Sequence, residues 1–152
     1  MNYFLFKIQF DQSAEDLNST YENLSEHEKE KISQMDVLSS FDAENEDKKY
    51  FCLLLTSKTE IISYRNILDN NLIPYICQDI SQSVVDNEIN LEKDLIQYLN
   101  SLNYLSYELF IEEITEWIYQ NLDIDSILDR ISKSGMDSLR PIDKYFLLQQ
   151  GK

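Results

Sequence analysis

A chain of 152 residues with 28 acids against 13 bases carries a formal charge of −15, and 43% of it is hydrophobic. That length suits one compact domain, or a domain with a small appendage, and the apolar share supports an ordinary core and excludes global disorder. The charge opposes direct binding to nucleic-acid phosphates and anionic lipid headgroups, and favours a basic protein partner or simple solubility.

The chain begins MNYFLFKIQFDQ. Phe4, Phe6, Ile8 and Phe10 alternate with Tyr3, Leu5, Lys7 and Gln9, which predicts a strand with one strongly buried face. Lys7 inside the apolar run, no basic segment before it and no small-residue cleavage site argue against a signal peptide. Without export, the glycosylation sequons at Asn18 and Asn23 have no meaning, and a cytoplasmic location is expected. Nowhere does an apolar run approach the roughly 18 residues that span a bilayer. Cys52 and Cys77 sit in apolar strand-like runs and read as reduced thiols, not a disulfide.

Residues 11–47 hold 12 acids and only two bases, Lys29 and Lys31. Leu17, Tyr21 and Leu24 fall at helical spacing. Ser25–Glu28 has a capping-box pattern, and Ile32, Met35 and Leu38 continue a possible helical face. One or two exposed amphipathic helices are expected, followed by a solvated loop at FDAENEDKK. KYFCLLLTS (49–57) reads as a strand. TEIISYRNILDNN (59–71) reads as a helix, with Ile61, Tyr64 and Leu68 on one side and Asn70–Asn71 as left-handed caps. LIPYICQDI (72–80) reads as a third strand, which Pro74 confines to an edge.

From Asn90 the spacing turns helical. Leu91, Leu95, Leu99 and Leu102 form one stripe; Tyr107, Phe110, Ile111, Ile114, Trp117 and Ile118 form a wider one. Residues 123–152 then balance five acids against five bases, so the first 122 residues carry the whole net charge. This marks a boundary between an acidic unit (1–122, its sheet within 1–80 and its helices within 90–121) and a neutral tail (123–152). Asp123 or Asp125 caps a first tail helix, with Ile124, Ile127, Leu128 and Ile131 on one face. Gly135 takes positive φ at its end, with Met136 folding back onto Ile131 in a Schellman arrangement. Pro141 opens a second helix, with Ile142, Tyr145, Phe146 and Leu148 on its apolar side.

Ile127, Leu128, Asp129, Arg130, Ile131, Ser132, Gly135, Asp137, Ser138 and Leu139 give the tail a pattern of its own. It resembles the short helical module in cytosolic C-terminal tails of some bacterial rhomboid-family membrane proteins. The resemblance covers about a sixth of the chain, residues 124–147. It departs at Arg140, where a Thr or Ser cap is expected, and no rhomboid serine motif is present. It implies a small docking or packing module and carries no protease activity.

Chemical machinery is sparse. Two glycines in 152 residues, against an average near 7%, cannot build the phosphate-cradling loops of nucleotide enzymes. The single histidine, His27, lies among charges in SEHEKEK and reads as a surface group. One histidine and two separated cysteines do not suit a tetrahedral zinc site. Glu112, Glu113 and Glu116 read as a solvated face. DAENED lacks the glycine turn and terminal glutamate of an EF-hand loop. No catalytic, cofactor-binding or metal residue is expected.

The reading is an α+β protein: an N-terminal sheet of three or four strands with helices on one face, then a helical half ending in a short hairpin. The expected function is non-enzymatic protein binding, as adaptor or inhibitor of a basic partner. Its candidate contacts are Asp42, Glu44, Glu46 and Asp47, with Tyr98, Tyr104 and Tyr119 as aromatic anchors. The rivals are a nucleic-acid mimic or immunity-type inhibitor, an enzyme without familiar motifs, and a structural subunit whose tail docks on a neighbour.

Overall fold

Alternating apolar residues make β1 (Phe4–Ser13) the organising strand of the molecule. The computed structural model describes residues 1–34, 37–41, 49–95 and 104–151. In it, β1 lies between β3 (Lys49–Thr56) and β4 (Tyr75–Asp79), while β2 (Val37–Phe41) adds to the far side of β3. All neighbours are antiparallel, in the order β2-β3-β1-β4. Helices α1 (Ala14–Glu22) and α2 (Glu26–Ser33) follow β1, and α3 (Lys58–Asn70) connects β3 to β4. Then come α4 (Ser81–Val85), a π-helical turn (Leu91–Leu95), α5 (Tyr104–Asn121), α6 (Ile124–Ser134) and α7 (Pro141–Gln150). The class is α+β, as the sequence indicates.

The sequence points to helices on one face of the sheet; the structure has helices on both. Phe6, Ile8 and Phe10 pack with Cys52 and Leu54 beneath Ile61, Tyr64 and Leu68 of α3. Leu5, Phe51 and Leu53 form a second core with Val84 and Val85 of α4 and Phe110, Ile114, Trp117 and Ile118 of α5. The pattern understates this second face because Lys7 and Gln9 interrupt it. Lys7 is accommodated by lying across an aromatic ring, its Nζ 5.1 Å from the centre of Phe51, so the stem stays on apolar surface while the ammonium reaches out.

Polar bonds fix these helices to β1. The Leu5 amide donates to Ser81 Oγ at 2.8 Å, and the Ile80 amide donates to the Leu5 carbonyl at 2.9 Å. The Trp117 indole N–H donates to the Tyr3 carbonyl at 3.0 Å. Each satisfies a buried or half-buried backbone group at the end of the central strand, where the ladder no longer does so.

Several local readings hold. Ser25 and Glu28 form the reciprocal capping box at α2, with bonds of 3.2 and 3.1 Å. β4 is an edge strand with Pro74 just before it, and the Pro74 carbonyl accepts from the Asp11 amide at 3.3 Å. Pro141 is the first residue of α7. Three others are corrected. Leu38 belongs to β2, not to an extension of α2, because pairing with Leu53 of β3 outweighs local helical spacing; Met35 lies outside the described residues, as do Leu99 and Leu102.

The left-handed residue after α3 is Leu72, at φ 57, and not Asn70 or Asn71. The Asn71 side-chain amide is committed elsewhere, donating to the Ile67 carbonyl at 2.8 Å and to Glu28 Oε2 at 2.9 Å. Gly135 does take positive φ, at 81, but its ψ of 172 is extended. Met136 therefore points outward, 55% exposed, and starts a 3₁₀ turn (Met136–Ser138) in place of folding back on Ile131.

That backbone geometry at Gly135 is one essentially only glycine occupies. Gly135→Ala is expected to lower stability by about 1–3 kcal/mol in chemical denaturation, although a Cβ there meets no atom within 4 Å. Gly151→Ala, with φ −82, is expected to be close to neutral.

Candidate partner-binding surface

The tail is held to the body by one carboxylate. Asp143 stands at the third position of α7, where an acid returns a hydrogen bond to the backbone preceding the helix. Its Oδ2 accepts from the Arg140 amide at 2.9 Å, from Arg140 Nε at 3.0 Å and from Arg130 Nη1 at 3.3 Å. Its Oδ1 accepts from Nη2 of Arg130 and Nη2 of Arg140, both at 3.0 Å. The carboxylate is fully buried, and the two arginine side chains are 17% and 15% exposed.

Two guanidiniums on one carboxylate leave an excess positive charge that burial would penalise. The body offsets it. Arg140 Nη1 donates to the Val84 carbonyl at 2.7 Å, and Nη2 donates to the Val85 carbonyl. These carbonyls close α4; the Val84 oxygen also accepts from the Asn87 amide at 3.2 Å, and Arg140 uses the acceptor capacity that a helix C-terminus leaves over. Arg140 thus joins α7 to α4 across the boundary suggested by charge. Burial pushes the Asp143 carboxyl up, but the bonds from Arg140 and Arg130 outweigh it and hold the group below its ordinary 3.8.

Around this clasp the tail packs unevenly. Ile127 and Leu139 are buried, and Ile142 lies against the α5 core. Tyr119 of α5 meets Tyr145 and Phe146 of α7, each with ring centres 5.7 Å apart. Other apolar groups stay in solvent: Ile124 and Leu128, one turn apart on α6, and Tyr145 and Leu148, three apart on α7. Leu128 is 50% exposed and Leu148 68%. A neutral hairpin fixed in place and showing such side chains offers anchors for a partner.

Of the sequence-derived contacts, two fall within the described residues. Asp42, Glu44, Glu46, Asp47 and Tyr98 lie outside the described residues. Tyr104 is the first residue of α5. Tyr119 is half-buried in the contact with α7. On α1 and α2, Glu15, Asp16, Glu22, Glu26 and Glu30 are exposed and supply part of the acidic exterior. Sequence reasoning missed Asp143 as a hub and treated Arg140 only as a departure from a cap. The available signal was Arg-Pro-Ile-Asp, an acid three residues past a cap position with proline opening the helix.

Groups for covalent chemistry are quiet where described. Burial pushes the Cys52 thiol up to about 12, far from thiolate at neutral pH. Among the described residues, no cluster of three or more His, Cys, Asp or Glu side chains is placed to hold a metal ion. No described helix is long and apolar enough to cross a membrane. No protein-family model, curated protein or solved structure matches the chain.

Removing one member of a buried ion cluster strands the others, at a cost of about 3–5 kcal/mol. Asp143→Asn is therefore expected to destabilise the protein by about that amount and to speed limited proteolysis within α6, measured by cleavage at Lys133. The carboxyl's folded pKa lies below its unfolded value. Its contribution is thus whole above pH 3.8 and is lost as pH falls through the lower folded value. Acid titration of stability is expected to show a shallower loss below that pH in the Asn variant than in the parent.

Proposed function

We propose that this chain is a non-enzymatic protein-binding module, an adaptor or inhibitor that engages a basic protein partner in the cytoplasm. The acidic body steers the encounter, and the clasped tail supplies apolar anchors. The observation that carries this reading is the division of labour along the chain. The whole charge of −15 resides in residues 1–122, while the neutral tail leaves Ile124, Leu128, Tyr145 and Leu148 in solvent. Charge sets association rate and partner choice, whereas desolvated apolar and aromatic anchors supply most affinity. The tail's resemblance to the rhomboid-family tail module is in keeping with a docking role.

The test is affinity capture from a native lysate followed by binding of the purified partner. The partner is expected to have a high isoelectric point. Its association rate is expected to fall steeply between about 0.1 M and 1 M salt, as the screening length shrinks from about 10 Å to about 3 Å. Leu128→Ser and Leu148→Ser, both at exposed sites, are expected to raise the dissociation rate by roughly tenfold or more without lowering the melting temperature. An acidic partner, salt-independent association, or affinity unchanged in both variants would overturn the proposal.

A further inference from the structure

A second feature lies on the other face of the sheet, away from the α5 core, and concerns a small molecule and not a protein. Between the sheet and the α1–α2 hairpin is a cavity of about 280 Å³. Its floor is Phe10 of β1 and Cys52 of β3, one wall is Tyr64 and Leu68 of α3, and its roof includes Leu17 and Tyr21 of α1. The roof is poorly filled. None of the described side chains of α1 or α2 is buried. Leu17 and Ile32 are half-buried against the core cluster, and Tyr21 is 42% exposed. Helices with apolar residues turned toward a sheet they do not fully meet leave lining atoms without packing partners.

The chemistry of the lining selects an occupant. The walls are mostly aliphatic and aromatic, a surface that an apolar molecule covers more favourably than water does. A cavity of about 150 Å³ admits benzene, so about 280 Å³ admits a two-ring molecule. Polar groups are few. The Tyr64 hydroxyl and the Cys52 thiol belong to the wall and floor, and Asn18 stands exposed on α1 beside Tyr21, where it can meet one hydrogen-bonding group. Glu15, Asp16 and Glu22 are exposed on the same helix, which carries no base. The negative field of this helix, in a chain of net charge −15, disfavours a carboxylate and admits a neutral ligand.

We infer that the cavity beneath α1 is a binding site for a neutral, bicyclic aromatic molecule bearing a single polar group. The ligand completes the core under α1 and α2 and rigidifies the hairpin. This site is independent of the protein-binding proposal, since its residues are not those of the tail.

The test uses the full chain with methyl-labelled Ile and Leu residues and indole as the probe. Indole is expected to give saturable shifts at Leu17, Ile32 and Leu68, and to slow amide exchange in α1. Indole-3-acetate, of similar shape but anionic, is expected to bind at least tenfold more weakly. Leu17→Trp fills the space from the half-exposed helix and is expected to weaken indole binding at least tenfold. Shifts that fail to saturate or scatter over the molecule, equal affinity for the anion, or unchanged affinity in a folded Leu17→Trp protein would each overturn the inference. If Leu17→Trp does not fold, the shift map and the neutral–anion pair on the parent protein decide it alone.

Discussion

A fully buried carboxylate shared by two arginines sets where the last fifth of this protein sits. Asp143 alone would be costly to bury, and two guanidiniums alone would be costlier. Together they still carry one excess positive charge, and the carbonyls of Val84 and Val85 at the end of α4 offset part of it by accepting from Arg140. The cluster is therefore complete only when the tail is seated on the body. Apolar contacts of Ile142 and the ring contacts of Tyr119 add to the docking. The polar cluster supplies direction, since its bonds close in one geometry, whereas apolar contacts tolerate sliding.

That seating depends in turn on the sheet. α4 begins where Ser81 and Ile80 bond to Leu5 on the central strand, so the carbonyls that receive Arg140 are placed by β1. Tyr3, just before that strand, receives Trp117 of α5, and α5 presents Tyr119 to α7. Two routes thus run from β1 to the tail, one through α4 and one through α5. A hairpin held at two points keeps Leu128 and Leu148 in solvent without losing its position. Pre-ordered anchors bind with less entropy lost than flexible ones.

Local chemistry made much of this legible in the sequence. The capping box at Ser25, the edge placement after Pro74, the proline opening α7 and the positive φ at Gly135 each follow from what one or a few adjacent residues demand. Strand β1 and the stripe on α5 followed from periodicity. The second buried face of the sheet was obscured because Lys7 looks solvent-facing until Phe51 is placed beneath it. β2 was obscured because its pairing with β3 is non-local. The clasp was half legible: Arg-Pro-Ile-Asp signals a cap, but nothing near Val84 and Val85 in the chain reveals that their carbonyls receive Arg140. Of the contact residues suggested by charge and aromaticity, Tyr119 proves to be engaged inside the molecule, while Tyr145, across that ring contact, is the more exposed ring.

In the proposed role, a partner is gripped by the seated tail and drawn in by the acidic body. Hydrogen–deuterium exchange of the full chain, with and without the captured basic protein, tests it most directly. The account requires added protection along the outer faces of α6 and α7, around Leu128 and Leu148, greatest at low salt. Protection confined to the β4 edge, or exchange in α6 and α7 that the partner leaves unaltered, would contradict it.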